Sequence, residues 1–304
     1  MNYARRALPL LAILAAFDST ALAQEKFATY REAYNAGAKL VNGGNLAAAR
    51  APLEAAEKLA KTDREKLDVN RTLLVPYREL QEIEPMQRAA EYLIANSANA
   101  ERSLTRLAML DFVHKRGKMD AATAGYEARL KKSPDDRTVL YVLAEVYARY
   151  KEDASRSAEL GEKWAALEKK AGKPIDVSAQ AQLALQYSKS GKSKEGAELY
   201  EAIAPLDKTL EAWHFKEAAA VWLKAGDKPK ALAAAKKSDA APPEKRSELL
   251  THFWHRGLGD VYLGADDPKS AIPHYKQAIA TTTIEGYVKD CKLKLLEAQA
   301  AVEK

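Results

Sequence analysis

Residues 252–285 read HFWHRGLGDVYLGADDPKSAIPHYKQAIATTTIE, a stretch of 34 residues in which two helical patterns meet at an Asp266-Asp267-Pro268 turn. In the first pattern Leu258, Gly259 and Tyr262 fall at spacings of one and three. In the second, Ala271, Tyr275 and Ala278 fall at spacings of four and three, so each set shares one helical face. The small residues let the two helices press together, and Tyr262 and Tyr275 fill the volume between them.

The same offsets recur along the chain. With His252 counted as position 1, the turn at positions 15 and 16 is Gly44-Asn45, Gly117-Lys118, Gly191-Lys192 and Gly226-Asp227 in other stretches. Small residues return at position 20 as Ala49, Ala122, Gly196 and Ala231, and Leu53, Tyr126 and Tyr200 stand at position 24. Pro134 and Pro243 at position 32 stop the second helix of their repeats. This arrangement resembles the tetratricopeptide repeat, a helix-turn-helix of 34 residues with small and aromatic residues at fixed offsets. The resemblance implies an all-α, right-handed α-solenoid of about seven antiparallel helix pairs. The expected repeats lie near 30–63, 64–102, 103–136, 137–172, 177–210, 212–245 and 252–285, with a capping helix at 286–304. Repeat 64–102 is expected to be degenerate, with Pro76 interrupting its first helix and Pro85 opening its second. Repeat 137–172 departs from the pattern through an extended turn before a helix at about 153–170. Pro52, inside the second helix of the first repeat, is expected to bend it.

Residues 1–23 read as a secretory signal: Arg5 and Arg6, an apolar run from Ala7 to Phe17, and the small-x-small end Ala21-Leu22-Ala23. The run is shorter than the roughly 20 residues that span a bilayer, and Asp18 ends it. The sequence therefore predicts a chain without a membrane span, periplasmic or secreted after cleavage following Ala23. A net charge of +6 and a pI near 9.0 would suit nucleic acid or anionic surfaces, but export argues against nucleic acid. The single cysteine, Cys291, forms no disulfide within the chain. With Val288, Leu295, Ala298 and Val302 it follows the 3, 4, 3, 4 spacing of one buried helical face.

No catalytic signature is present: no G-x-S-x-G, no phosphate-binding glycine loop and no paired cysteines. No cofactor and no catalytic residue is expected. His252, His255 and His274 are the one set able to hold zinc, and a metal-dependent hydrolase is the alternative they support. Convergence is not expected, because position 1 should lie at a helix end and His274 has no fixed facing. Tyr147, Tyr187, Trp222, Tyr262 and Tyr275 occupy inward offsets and read as core.

Trp213 and Phe253 stand at position 2, which the resemblance places on the concave face, where family members hold a peptide. Lys216 and Arg256 at position 5, with Lys189 and Lys224 at position 13, complete the expected groove site. These residues lead to a non-catalytic scaffold or adaptor whose partner is a peptide or protein of apolar and acidic character. A binder of anionic polysaccharide or lipid headgroups is the remaining alternative. The carboxylate-clamp members of the family need lysine and asparagine where the first repeat has Tyr34 and Ala38, so clamp binding is not expected at that end. Intact-mass measurement of the exported protein is expected to place its first residue at Gln24; an uncleaved, membrane-embedded product would contradict the reading.

Overall fold

The computed structural model describes residues 27–174, 176–241 and 247–303, and among them the chain is all α, with fifteen α-helices, one short 3-10 turn and no strand. The expected signal peptide and Pro243 lie outside the described residues. The chain divides into two compact segments, one up to Ala89 and one from Ala90 onward. In the first lie α1 (Tyr30–Asn42), α2 (Leu46–Leu59) and α3 (Asp63–Glu79), and α4 (Ile83–Asn96) carries the division. The second holds α5 (Asn99–Lys115), α6 (Met119–Lys132), α7 (Arg137–Arg149), α8 (Ala154–Lys170), α9 (Val177–Lys189) and α10 (Ser193–Ile203). It continues through the turn Ala204–Leu206 to α11 (Glu211–Lys224), α12 (Lys228–Ala240), α13 (Glu248–Gly264), α14 (Pro268–Ala280) and α15 (Glu285–Val302).

Helix starts follow from side chains that accept the orphan N–H groups of the first turn. Thr29, Thr62, Asp136, Asp153, Asp176, Asp227 and Asp267 each do so, and Thr29 with Glu32 and Thr62 with Glu65 form complete capping boxes. Between paired helices the chain reverses through a left-handed residue at position 15. Gly226 adopts it at φ 81°, and in the last repeat Asp266 takes it at φ 63°.

In the first and last repeats the paired helices approach most closely at position 8. A Cβ on Gly259 would lie 2.7 Å from Tyr275 Cε1, and one on Gly37 would lie 2.5 Å from Leu53 Cγ. Around these contacts Tyr275, Leu258, Ala271 and Ala278 are fully buried, and Trp222 and Tyr262 are nearly so. Tyr147 and Tyr187 are only half-buried, because their hydroxyls reach outward, Tyr147 donating to Glu127 at 3.0 Å.

Three further expectations need correction. Pro76 does not interrupt α3, which runs on to Glu79. The missing backbone bond costs about 3 kcal/mol, but Leu73 and Tyr77 on the same turns are fully buried. Burying each stabilises by about 1.5–3 kcal/mol, which offsets the loss. His252 is not at a helix end, since α13 begins at Glu248 and His252 has no exposed surface. Val302 is 39% exposed and leaves the buried stripe that holds Cys291 and Ala298. The turn at Ala204–Leu206 was not foreseen; Pro205 shortens α10 there. Replacing Gly259 by leucine is expected to force α13 and α14 apart, at a cost of about 1–3 kcal/mol from overpacking. Thermal melts would read this as a lowered Tm; an unchanged Tm would refute the register.

Candidate functional site

Positions 2 and 5 of successive first helices form a strip in the second segment. On α11, Lys216 Nζ lies 4.6 Å from the centre of the Trp213 ring. Its stem passes over α13 at a bare position, since a Cβ on Gly257 would lie 3.1 Å from Lys216 Cδ. Gly257 is one turn along α13 from Phe253, whose ring meets Tyr287 of α15 edge-on at 5.3 Å. Arg256 then reaches Asp290 of α15 at 3.0 Å and Asp260 at 3.9 Å. The strip thus runs from Trp213 through Lys216, Phe253 and Arg256 to Tyr287 and Asp290. Trp213 and Phe253 are both partly exposed, and Trp213 packs its inner edge on the core.

The charges of this strip are more balanced than the sequence indicated. Lys216 pairs with Glu217 at 2.7 Å, and Arg256 with two carboxylates. Lys224, exposed at the end of α11, donates to the backbone carbonyl of Ser188, and Lys189 is exposed beside it. The acids Glu217, Asp260 and Asp290 escaped the sequence reading because only packing decides which of them folds back on a cation.

The histidines behave differently from one another. His252 is buried with Nδ1 2.8 Å from the Ala278 carbonyl oxygen, and its ring stacks on Tyr287 at 5.2 Å. It takes no part in a cluster. His255 and His274, contrary to expectation, do meet, with their Nδ1 atoms 3.1 Å apart. The α13–α14 pairing fixes the facing of His274 that the sequence left open. Its Nε2 lies 3.3 Å from Asp239 of α12, which also accepts from the Tyr262 hydroxyl at 2.5 Å. With the Nε2 proton directed at Asp239, His274 Nδ1 accepts and His255 Nδ1 donates. Among the described residues no group of three or more His, Cys, Asp or Glu side chains is arranged to hold a metal. Asp239 engages His274 from the side opposite His255, so the three do not surround one point.

A second polar cluster was not anticipated. Arg102 binds Glu168 at 2.9 Å, Arg137 binds the same carboxylate at 3.1 Å, and Arg106 binds Glu145 at 2.9 Å while lying 3.7 Å above the Tyr141 ring. Arg102, Arg106, Glu145 and Glu168 are all buried. Each charge has its counter-charge, as burial demands, and the cluster fastens α5, α7 and α8. Cys291 is buried, and that burial pushes its thiol above the ordinary range, away from reactivity.

Burial, followed by the neighbouring His274, outweighs the attraction of Asp239 and lowers the His255 imidazole from 6.5 to about 4. Burial lowers His214 in the same direction, against the pull of Asp207. Asp239 is held below its usual range: burial opposes the charge, but hydrogen bonds from His274 and Tyr262 outweigh it. An imidazole depressed in the fold binds its proton more readily when unfolded. Its contribution to stability is therefore whole above pH 6.5 and lost as pH falls toward 4, and that of Asp239 is lost at still lower pH. Tm is expected to be flat above pH 7 and to decline between pH 6.5 and 4, with a shallower decline in His255→Asn; an identical slope in the variant would exclude His255 as a source.

No family model matches the chain, and no curated protein does. Solved structures are similar at low identity. BtubC (BKLC) from P. vanneervenii aligns with a TM-score of 0.50 at 15% identity, over 73% of this chain and 91% of that one. A tetratricopeptide repeat protein from Parabacteroides merdae aligns with a TM-score of 0.41 at 15% identity, over 88% and 98%. YrrB, described as a TPR protein with an unusual peptide-binding site, aligns with a TM-score of 0.46 at 14% identity, over 62% and 90%. Paired antiparallel helices, close approach at position 8 and a left-handed residue at position 15 make this an all-α repeat chain with the tetratricopeptide repeat fold.

Proposed function

We propose that the chain is a non-catalytic scaffold that holds a peptide or protein partner along the strip of first-helix side chains in its second segment. The observation that carries this reading is the continuity of Trp213, Lys216, Phe253 and Arg256 across α11 and α13 and on to Tyr287 of α15. Partly exposed aromatic rings beside basic groups are the residue types that most often dominate binding energy. Trp213 and Phe253 supply apolar anchorage, and Lys216 supplies a cation held over an indole face, where a partner's carboxylate can replace Glu217. Lys189 and Lys224 extend the basic character along the same face, so the partner is apolar with an acidic side chain or free C-terminus. Export, and with it a periplasmic or secreted setting, belongs to the same reading and rests on residues 1–23; among the described residues no helix is long and apolar enough to cross a membrane.

The alternative of binding anionic polysaccharide or lipid headgroups draws on net charge, and the ion pairs of Lys216 and Arg256 weaken it. The partner is to be captured by crosslinking in the exported fraction, and its affinity measured against wild type, Trp213→Ala and Phe253→Ala. Each substitution is expected to weaken binding by about 2 kcal/mol or more, roughly 30-fold, with little change in Tm. Loss of stability with binding intact would make both residues core and remove the strip as the site.

A further inference from the structure

In each of the last two helix pairs, the inner face of the first helix is covered by the second helix of its own pair. That face comprises positions 4, 7, 8 and 11. In the repeat beginning at Ala212, positions 7, 8 and 11 are Ala218, Ala219 and Trp222, at 0%, 0% and 2% exposure. In the next they are Leu258, Gly259 and Tyr262, all buried beneath α14.

Continued onward, the register makes Gly286 position 1 of α15. Positions 6, 10 and 13, which are Cys291, Leu295 and Ala298, pack back on the preceding pair. Positions 4, 7, 8 and 11 are Lys289, Lys292, Leu293 and Leu296, and all four are exposed, the leucines at 61% and 62%. Helix α15 thus stands in the register of a first helix, and no described helix lies against this face.

An end helix that only shields a repeat array from water carries a polar outer face. This one instead sets two leucines three residues apart beside a shallow hollow of about 280 Å³ bordered by Val288, Lys289, Lys292, Leu293 and Leu296, with Glu285 at its N-terminal edge. Lys192, Lys228 and Lys237 each reach a carboxylate on a neighbouring pair, whereas among the described residues neither Lys289 nor Lys292 has one. A leucine rather than glycine at position 8 keeps any occupant further out than α14 comes at Gly259, unless that occupant presents small residues.

We propose that this face docks a helix from a partner protein in the place of the second helix of an eighth pair. That helix is amphipathic, with small and apolar residues against Leu293 and Leu296 and acidic residues flanking them to meet Lys289 and Lys292. A second copy of α15 would instead bring another set of lysines to the same seam. The face is distinct from the strip that carries Tyr287 and Asp290, so the proposal stands or falls apart from the peptide-scaffold reading.

The probe is a synthetic helical peptide of about 20 residues with alanine and leucine on one face and glutamate on both flanks, longer than the roughly 12–15 residues below which isolated helices are marginal in water. Its counterpart carries lysine on the flanks, and binding to the full chain is read by fluorescence anisotropy. Saturable binding of the glutamate peptide is expected, at least tenfold tighter than the lysine peptide. Binding should be lost in the double variant Leu293→Glu, Leu296→Glu, whose Tm is unchanged because both leucines are exposed. The double variant Lys289→Glu, Lys292→Glu should reverse the preference, and Trp213→Ala should bind as wild type. The proposal is overturned by absent or equal binding of the two peptides, or by binding that survives the leucine variant. It is also overturned by a lowered Tm in that variant, by a wild-type dimer that the variant dissociates, or by tighter binding to phosphatidylglycerol vesicles than to the peptide.

Discussion

The contact on which this structure depends is the seating of a large side chain of one helix over a position too small to resist it on the other. Tyr275 over Gly259 and Leu53 over Gly37 leave no room for even one added carbon. Because dispersion falls off steeply with distance, such contact gains packing that a wider spacing forfeits. The rest of each repeat serves that approach: the left-handed residue at position 15 reverses the chain, and capping side chains begin the helix at a fixed register. The aromatic hydroxyls find carboxylates at the rim, as Tyr275 does with Asp260 at 2.9 Å and Tyr77 with Glu54 at 3.1 Å.

Around α5, α7 and α8 a charged cluster lies within a largely apolar core: Arg102, Arg106, Glu145 and Glu168 are all buried beside Val139, Leu143 and Trp164. Such groups stabilise little in net terms, since desolvation offsets much of their attraction, but losing one partner leaves a charge stranded at a cost of about 3–5 kcal/mol. Each ties together helices far apart in sequence, Arg102 of α5 with Glu168 of α8 and Arg106 of α5 with Glu145 of α7. In repeat 137–172 the extended turn between α7 and α8 passes through Glu152 at φ 53°.

The two candidate surfaces both lie where first-helix side chains are not covered by another described helix. Positions 2 and 5 face away from a helix's own partner, so their side chains contact the next first helix or nothing, as Trp213 and Phe253 show by their partial exposure. On helix α15 no described helix covers the corresponding face, and Leu293 and Leu296 stand exposed there.

The amino-acid sequence by itself determined the helical class, the 34-residue register, the turn positions and the buried status of Trp222, Tyr262, Tyr275 and Cys291. Those properties depend on spacing along a single chain, and a helix converts spacing into facing by a fixed rotation. It misjudged Pro76 and His252, because the length of a helix depends on how much surface its neighbours bury and not on propensity alone. Tertiary structure alone decided which charges meet: His255 with His274, Asp239 with His274 and Tyr262, Arg256 with Asp290, Arg102 with Glu168. Those partners lie from 19 to 66 residues apart or on separate helices. Long polar side chains reach several carboxylates from any one position, and only the packed arrangement of helices selects among them.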